Sequence, residues 1–318
     1  MKSIGGFFSL ELPINSKGEL YPTAIKLNSG RACLEYVLRL HNYSKIYLPF
    51  YTCQVVLDTI QKVGMEYEFY HVNTCLEIAN PINIGHNEVL LYTNYFGLKD
   101  DYIIKLSKKF HNFILDNSQA FFFKPIEGFD SFNTCRKFFG VADGAYLFTT
   151  LNSKLDIPQG FSSNRMNFLL DRLDKSPEEA FSEFHDSEKL IDCGCMTKMS
   201  KITQAIMSSI DYETIAKRRF NNFTRLHQQL GNVNELSCTL KKGEVPMVYP
   251  FLMKNNDILR AKLIAHRIYV AKYWPNVEEW AGKETYDAYL ANNLLPLPID
   301  QRYDNTDMDY ILKLINSI

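Results

Sequence analysis

The 318-residue chain has no apolar run of the roughly 20 residues that a membrane-spanning helix needs, so membrane attachment is not expected. It also lacks an excess of either charge: 35 Lys and Arg stand against 36 Asp and Glu, a net of −1. Nucleic acid is therefore not an expected partner, because that needs a basic face. The seven cysteines are odd in number and irregular in spacing. Cys193 and Cys195 form one C-x-C with no second pair to complete a tetrahedral zinc site, and no two His stand four apart, so no metal is expected. The thiols read as reduced and the compartment as cytoplasmic. Residues 4–10 are apolar, but the long apolar region and cleavage site of a secretory signal are missing. G-x-x-x-x-G-K-[ST] is absent, which argues against a phosphate-loop NTPase, and so is G-x-S-x-G, which weakens an α/β-hydrolase. There is no internal repeat and no low-complexity tract.

Hydrophobic residues at 46% and charged residues at 22% are ordinary for a globular protein with a sizeable core. The length predicts about two domains, here placed at residues 1–210 and 211–318. Aromatics are plentiful, with 22 Phe and 19 Tyr, and core packing is the plain reading for most. In the first two-thirds, short apolar runs alternate with amphipathic stretches, the pattern of an α/β layer fold. Strands are predicted at 45–49, 66–72, 88–96, 112–116 and 145–149. Helices are predicted at 31–40, at 52–63 with Thr52 as its cap, and at 100–111. Residues 152–195 carry weaker, helix-prone pieces such as 176–190. A long helical stretch, 201–230, breaks near Asp211 and Tyr212. A piece at 245–253, an amphipathic stretch at 257–266, a strand at 268–271 and a helix at 306–318 then describe a smaller C-terminal α+β domain.

Three segments carry chemistry. In Leu27-Asn28-Ser29-Gly30-Arg31-Ala32 a small-residue turn leads straight into a helix, whose N–H groups and partial positive charge suit a phosphate. An ordinary capped helix is the plainer alternative. Asp116 ends a predicted parallel strand, at the sheet edge where open α/β folds bind ligands, with Gln119 three residues on. A carboxylate there can hold a pyridine nitrogen protonated, or it can simply cap a helix. Lys137 lies in an aromatic stretch next to Arg136 and just before a strand. A lysine desolvated beside a cation is a better nucleophile toward an aldehyde, and the alternative is a surface lysine in a basic loop. Ser131 and Thr134 place hydroxyls nearby.

Taken together and in order, these segments resemble the DegT/StrS-type aminotransferases, pyridoxal-phosphate enzymes of sugar-nucleotide biosynthesis. The resemblance runs through Ser29-Gly30-Arg31-Ala32, Pro49-Phe50-Tyr51-Thr52, Asn94-Tyr95-Phe96-Gly97 and Asp116-Asn117-Ser118-Gln119. It continues through Ser131-Phe132, Lys137 and Asp143-Gly144, then Met199-Ser200 to Ala205, and ends at Leu297-Pro298-Ile299-Asp300. It implies the PLP-transferase fold of type I, a mixed, mostly parallel sheet flanked by helices.

The resemblance also implies pyridoxal 5′-phosphate held as a Schiff base on Lys137, with Asp116 at the ring nitrogen and Gln119 within reach. Ser29, Gly30 and Arg31, with Ser131 or Thr134, would hold the phosphate. Glutamate as amino donor, a nucleotide-linked keto-sugar as acceptor and a homodimer follow by the same likeness, in amino-sugar or surface-polysaccharide biosynthesis. Some positions depart from the family. Ser131 stands six residues before Lys137 where the family has five, which brings in Thr134. Cys53 stands where the family stacks a ring, which brings in Tyr51 or another aromatic. Met196 falls where the family often places a phosphate-binding Asn offered to the partner subunit. The chain is also shorter than typical members. A different pyridoxal-phosphate reaction, or a non-catalytic sensor or assembly protein on a degenerate scaffold, are the alternative readings. Arg267, Lys272 and Trp274 are candidate substrate contacts for which surface or core duty is plainer.

Overall fold

Short, largely apolar strands fill the first half of the chain. Those at Lys45–Pro49, Glu88–Thr93 and Phe113–Asn117 are buried on both faces, whereas the edge strand Glu66–Tyr70 exposes Glu66, Tyr67 and Glu68. In the computed structural model, which describes residues 4–151, 154–192 and 194–317, those strands form one seven-stranded sheet. The strands are β1 (Ile25–Leu27), β2 (Lys45–Pro49), β3 (Glu66–Tyr70), β4 (Glu88–Thr93), β5 (Phe113–Asn117), β6 (Asp130–Asn133) and β7 (Ala145–Phe148). Their order is β1-β7-β6-β5-β4-β2-β3. Strands β2 to β6 pair in parallel, and β7 runs antiparallel to both its neighbours. The fold class is the α/β, mostly parallel mixed sheet expected from the sequence.

Period-2 alternation sorts the side chains to two cores. On one face Ile46, Leu48, Val89, Leu91, Ile114 and Phe132 pack against α1 (Gly30–Leu40) and α2 (Gln54–Lys62). On the other, Tyr47, Leu90, Tyr92, Leu115 and Tyr146 pack against α3 (Asp100–Lys109) and α6 (Lys201–Ser209). Between β7 and α6 lie α4 (Asn167–Asp174) and α5 (Phe181–Asp192). A third core joins α7 (Tyr212–Leu230), the antiparallel pair β8 (Tyr249–Leu252) and β9 (Leu294–Leu297), α8 (Asp257–Ala265) and α11 (Asn305–Ile315). The chain also forms α9 (Asn276–Ala281) and α10 (Tyr286–Asn293) ahead of β9.

Several boundaries differ from the sequence reading. Helix α2 starts at Gln54 behind Cys53, without a side-chain cap, because Thr52 is buried and its carbonyl accepts from Asn276 Nδ2 at 3.0 Å. Strand β4 stops at Thr93, since Tyr95–Gly97 turns as a 3₁₀ helix with positive φ at Phe96 (59°) and Gly97 (73°). No strand forms at 268–271. Ile268 and Val270 bury their side chains, but Arg260 takes the carbonyls of Val270 and Ala271 at 3.2 and 3.0 Å in place of a partner strand, and β8 pairs with β9 instead. Of the expected C-terminal helix, Ile318 lies outside the described residues, as does Cys193 of the C-x-C pair. Cys195 and the other described cysteines are free. Among the described residues no helix is long and apolar enough to cross a membrane, and no cluster of three His, Cys, Asp or Glu could hold a metal.

Two of the sequence motifs are tied to one another. Asp143 is fully buried and accepts from the Ser200 N–H (2.9 Å), the Ser200 hydroxyl (2.8 Å) and the Thr203 hydroxyl. Ser200 in turn caps α6 by accepting from Thr203 N. Next in the chain, Gly144 has φ +116°, and a Cβ there would lie 2.9 Å from Thr203 Cγ2. The segment after Lys137 is thereby locked onto the start of α6. Asp143→Ala strands the Ser200 N–H and the Thr203 hydroxyl, while the Ser200 hydroxyl keeps Ser162 Oγ at 2.7 Å, and is expected to cost about 3 kcal/mol, read as a lower urea midpoint. A shift under about 1 kcal/mol would mean that this junction bears little of the fold's stability.

Candidate active site

The register across the parallel strands puts chemistry in one row. Thr93 of β4 pairs with Asp116 of β5, and Asp116 pairs with Phe132 of β6. All three are near the C-terminal ends of their strands, on the sheet face that α1 covers. Thr134 follows Phe132 by two residues and shares its side. The turn before α1 is held over this row by Asn28, whose N–H reaches Thr197 O at 2.9 Å and whose carbonyl accepts from Gly144 N at 2.8 Å. Ser29 then caps α1, its Oγ accepting from Ala32 N at 3.1 Å.

These elements enclose a cavity of ≈ 280 Å³, at the small end of the roughly 300–1,000 Å³ typical of small-molecule sites. Of the three candidate substrate contacts, Trp274 lies on its wall and Arg267 and Lys272 do not; of the residues that the likeness gives to the cofactor, Ser29, Gly30, Arg31, Asp116, Gln119, Thr134 and Lys137 lie there. Two do not. Ser131 is paired with Leu115, so its side chain goes to the opposite face of the sheet, where its Oγ is buried without a hydrogen-bond partner. Tyr51 is fully buried behind the wall, 5.0 Å from the ring of Trp274 and 5.6 Å from that of Tyr95. The structure thus separates the two hydroxyls that the sequence left open: Thr134 faces the cavity and Ser131 does not. Wall residues that the sequence reading did not assign to a site include Thr52, Thr93, Ser118 and Glu188. The parallel register could have found Thr93, whereas Glu188 comes from α5, in the region of weakest pattern.

The electrostatics centre on Asp116. Burial pushes its carboxyl above the usual carboxylate value, while Lys137 and the Ser118 hydrogen bonds draw it back down. Ser118 N donates to Asp116 Oδ1 at 2.7 Å. A buried carboxylate disfavoured in its charged form is one that a cationic group in the cavity would relieve. Space is kept open as well: a Cβ on Gly30 would meet Ser118 Oγ at 3.2 Å and the Phe132 ring at 3.5 Å. Thr93 Oγ1 is buried without a partner. A flat, phosphate-bearing ring with a basic nitrogen fits this set, its nitrogen at Asp116 and its anion at the start of α1.

Lys137 is not desolvated as its aromatic neighbours had implied. Phe138 and Phe139 turn into the core on the other face of the sheet and leave the amine exposed. It borders both the Asp116 cavity and an adjoining one of ≈ 230 Å³ lined by Arg219, Asp300, Gln301 and Arg302. Arg136 beside it pairs with Glu188. The backbone next to Lys137 is braced from the C-terminal part of the chain. Gln301 Nε2 donates to the Phe138 carbonyl at 2.7 Å, Arg219 donates to the same oxygen at 3.4 Å, and the Arg219 guanidinium lies 4.6 Å from the centre of the Phe138 ring. Arg219 is itself 1% exposed and bonds Met247 O and Gln301 Oε1. Burial pulls its pKa down to about 10, against the opposing pull of Asp300.

No protein-family profile and no curated protein matches the sequence. Solved structures do match in fold. A DegT DnrJ EryC1 StrS aminotransferase from Brucella abortus is 16% identical, with a TM-score of 0.58 over 92% of this chain and 85% of that one. The PLP-form of a sugar aminotransferase, Spr1654 from Streptococcus pneumoniae, is 14% identical with a TM-score of 0.61 over 92% and 86%. PseC from Helicobacter pylori, an aminotransferase involved in the biosynthesis of pseudoaminic acid, is 13% identical with a TM-score of 0.63 over 93% and 87%. By these superpositions over more than nine-tenths of its length, the chain has the fold of the DegT/DnrJ/EryC1/StrS aminotransferases.

Proposed function

We propose that the protein is a pyridoxal 5′-phosphate-dependent aminotransferase acting on a keto-sugar, with Lys137 and Asp116 as its catalytic residues. One observation carries this reading: the amine of Lys137, the buried carboxylate of Asp116 and the start of α1 share the wall of a single cavity. When bound, the cofactor supplies an aldehyde that takes up the amino group and a ring that accepts electrons from the donor's α-carbon. Asp116 holds the proton on the ring nitrogen. Lys137 would hold the cofactor through its amine and would carry a proton to and from the donor's α-carbon. The N–H groups at Gly30 and Arg31, the Ser29 cap and the Thr134 hydroxyl bind the phosphate. Gln119, whose Oε1 already accepts from Phe96 N at 2.8 Å, orients the ring through its amide.

The sugar class of the acceptor rests on the fold likeness to enzymes named as sugar aminotransferases. Glutamate as donor and a nucleotide-linked acceptor belong to the same reading. A homodimer does too, supported by the exposed apolar side chains of Leu170, Leu173, Phe181 and Leu190 on α4 and α5. The absorption spectrum of the purified protein tests the reading. We expect a yellow protein that borohydride bleaches with the label on Lys137, and that glutamate also bleaches by converting the cofactor to its amine form. A protein that takes up no cofactor would end the proposal, and one that binds it but ignores every amino donor would end the aminotransferase part.

A further inference from the structure

We infer that Trp274 supplies the aromatic face against which the bound cofactor's ring packs, an inference that rests on the function just proposed. The argument begins from which rings can offer a face. Among the described residues, only Phe132 and Trp274 contribute aromatic rings to the cavity wall. Phe132 is 2% exposed and lies beneath Gly30, so α1 already covers its ring. Tyr51 is sealed behind the wall, and Phe138 and Phe139 point into the opposite core. Cys53, beside the buried Thr52, is too small to cover a ring. Trp274 is half-buried and reaches the cavity from the segment before α9.

The indole is also held in place. The Tyr51 ring backs it at 5.0 Å and the Tyr273 ring at 5.4 Å. Two residues on, Asn276 Nδ2 donates to Thr52 O at 3.0 Å, which ties this segment to another part of the wall. A prepared wall of this kind gains affinity because little side-chain freedom remains to be lost on binding. The chemistry matches the residue type. A pyridine ring kept protonated by Asp116 is electron-poor and cationic, and the indole is the best of the aromatic side chains at facing a cation. Sequence position hides this arrangement, because Trp274 stands more than 200 residues after the Tyr51–Thr52 segment it adjoins.

Binding of pyridoxamine 5′-phosphate, which forms no bond to Lys137, tests the inference by calorimetry without any turnover. Trp274→Leu, similar in apolarity but without a ring, is expected to bind about tenfold more weakly or worse. Trp274→Phe should stay within about threefold of the parent. Equal binding by Trp274→Leu and the parent, with Lys137 still labelled by borohydride in the pyridoxal 5′-phosphate form, overturns the inference and leaves the function standing. An equal loss in the Phe and Leu variants overturns it too, because the ring would then not be the reason. If the parent binds neither form of the cofactor, the functional reading fails and this inference falls with it. Should Trp274→Leu not fold by circular dichroism, Asn276→Ala decides: freeing the segment is expected to weaken binding about two- to fivefold with the indole retained, and unchanged affinity overturns the inference.

Discussion

Lys137→Ala is expected to give a folded, colourless protein whose turnover falls by at least about 10²–10⁴-fold, the range for losing one positioned proton-transfer group. The size of the loss follows from position. Among the described residues Lys137 is the one lysine on the wall that also carries Asp116 and the start of α1, so no other described amine there replaces it. The fold should hardly notice. The side chain is exposed, and exposed substitutions usually move stability by no more than about 0.5 kcal/mol. Its backbone is braced through the Phe138 carbonyl, which the substitution leaves in place. Two measurements on one sample check this: a thermal melt of the cofactor-free chain, expected unchanged, and covalent retention of the cofactor after borohydride, expected to vanish. Label retained on another lysine would show that the amine had been assigned to the wrong residue.

Asp116→Asn should slow transamination on the order of 10²–10³-fold, the scale of losing one preorganised charge contact at a reacting centre. It should at the same time make the empty protein more stable near neutral pH. The second effect follows from the direction of the Asp116 shift. Burial, the largest cause, raises its pKa in the folded chain above the ordinary value of 3.8. The folded state therefore binds this proton more tightly than the unfolded state does. The stability it brings is fully present below pH 3.8 and is lost as pH rises through the folded value. At pH 7 the charged carboxylate is a liability in the cofactor-free chain, and the Asn variant removes it while Oδ1 can still accept from Ser118. Denaturant midpoints of the two cofactor-free proteins should differ at pH 7 and converge in strong acid. A parent more stable than the variant at pH 7 would contradict the burial argument. Near-normal turnover in the variant would remove Asp116 from the mechanism.

The parts of the fold legible in the sequence are those that local patterns control. Strands β2, β4 and β5 are apolar runs with clear stops, and the break between α6 and α7 falls where a polar residue caps a new helix, Asp211. Strand β6, Asp-Ser-Phe-Asn, is polar in composition yet buried along its whole length, because it sits between β5 and β7. No local pattern announces that. Strand β1 is three residues long and is defined by its partner. The strand expected at 268–271 failed for the converse reason: its apolar residues are buried, but Arg260, on the helix just before it, takes the carbonyls of Val270 and Ala271.

The same division runs through the cavity. Asp116 and the Ser29–Arg31 turn were readable because strand ends and helix starts have positions in sequence. The choice between Ser131 and Thr134 was not, since only the pairing of Ser131 with Leu115 shows which face each hydroxyl takes. The exposure of Lys137 was misjudged because the flanking aromatics were assumed to surround it, when they pack on the far side of the sheet. Trp274 reaches the wall through tertiary packing alone.

The brace behind Lys137 bears on when the protein becomes competent. Arg219 and Gln301, which grip the Phe138 carbonyl, are translated some 80 and 160 residues after it. A growing chain can complete the seven-stranded sheet, and with it the bed of Asp116, long before either hand of that clasp exists. Full-strength capture of a ligand by that cavity is thus expected only once Gln301 has been made and has folded back onto the sheet.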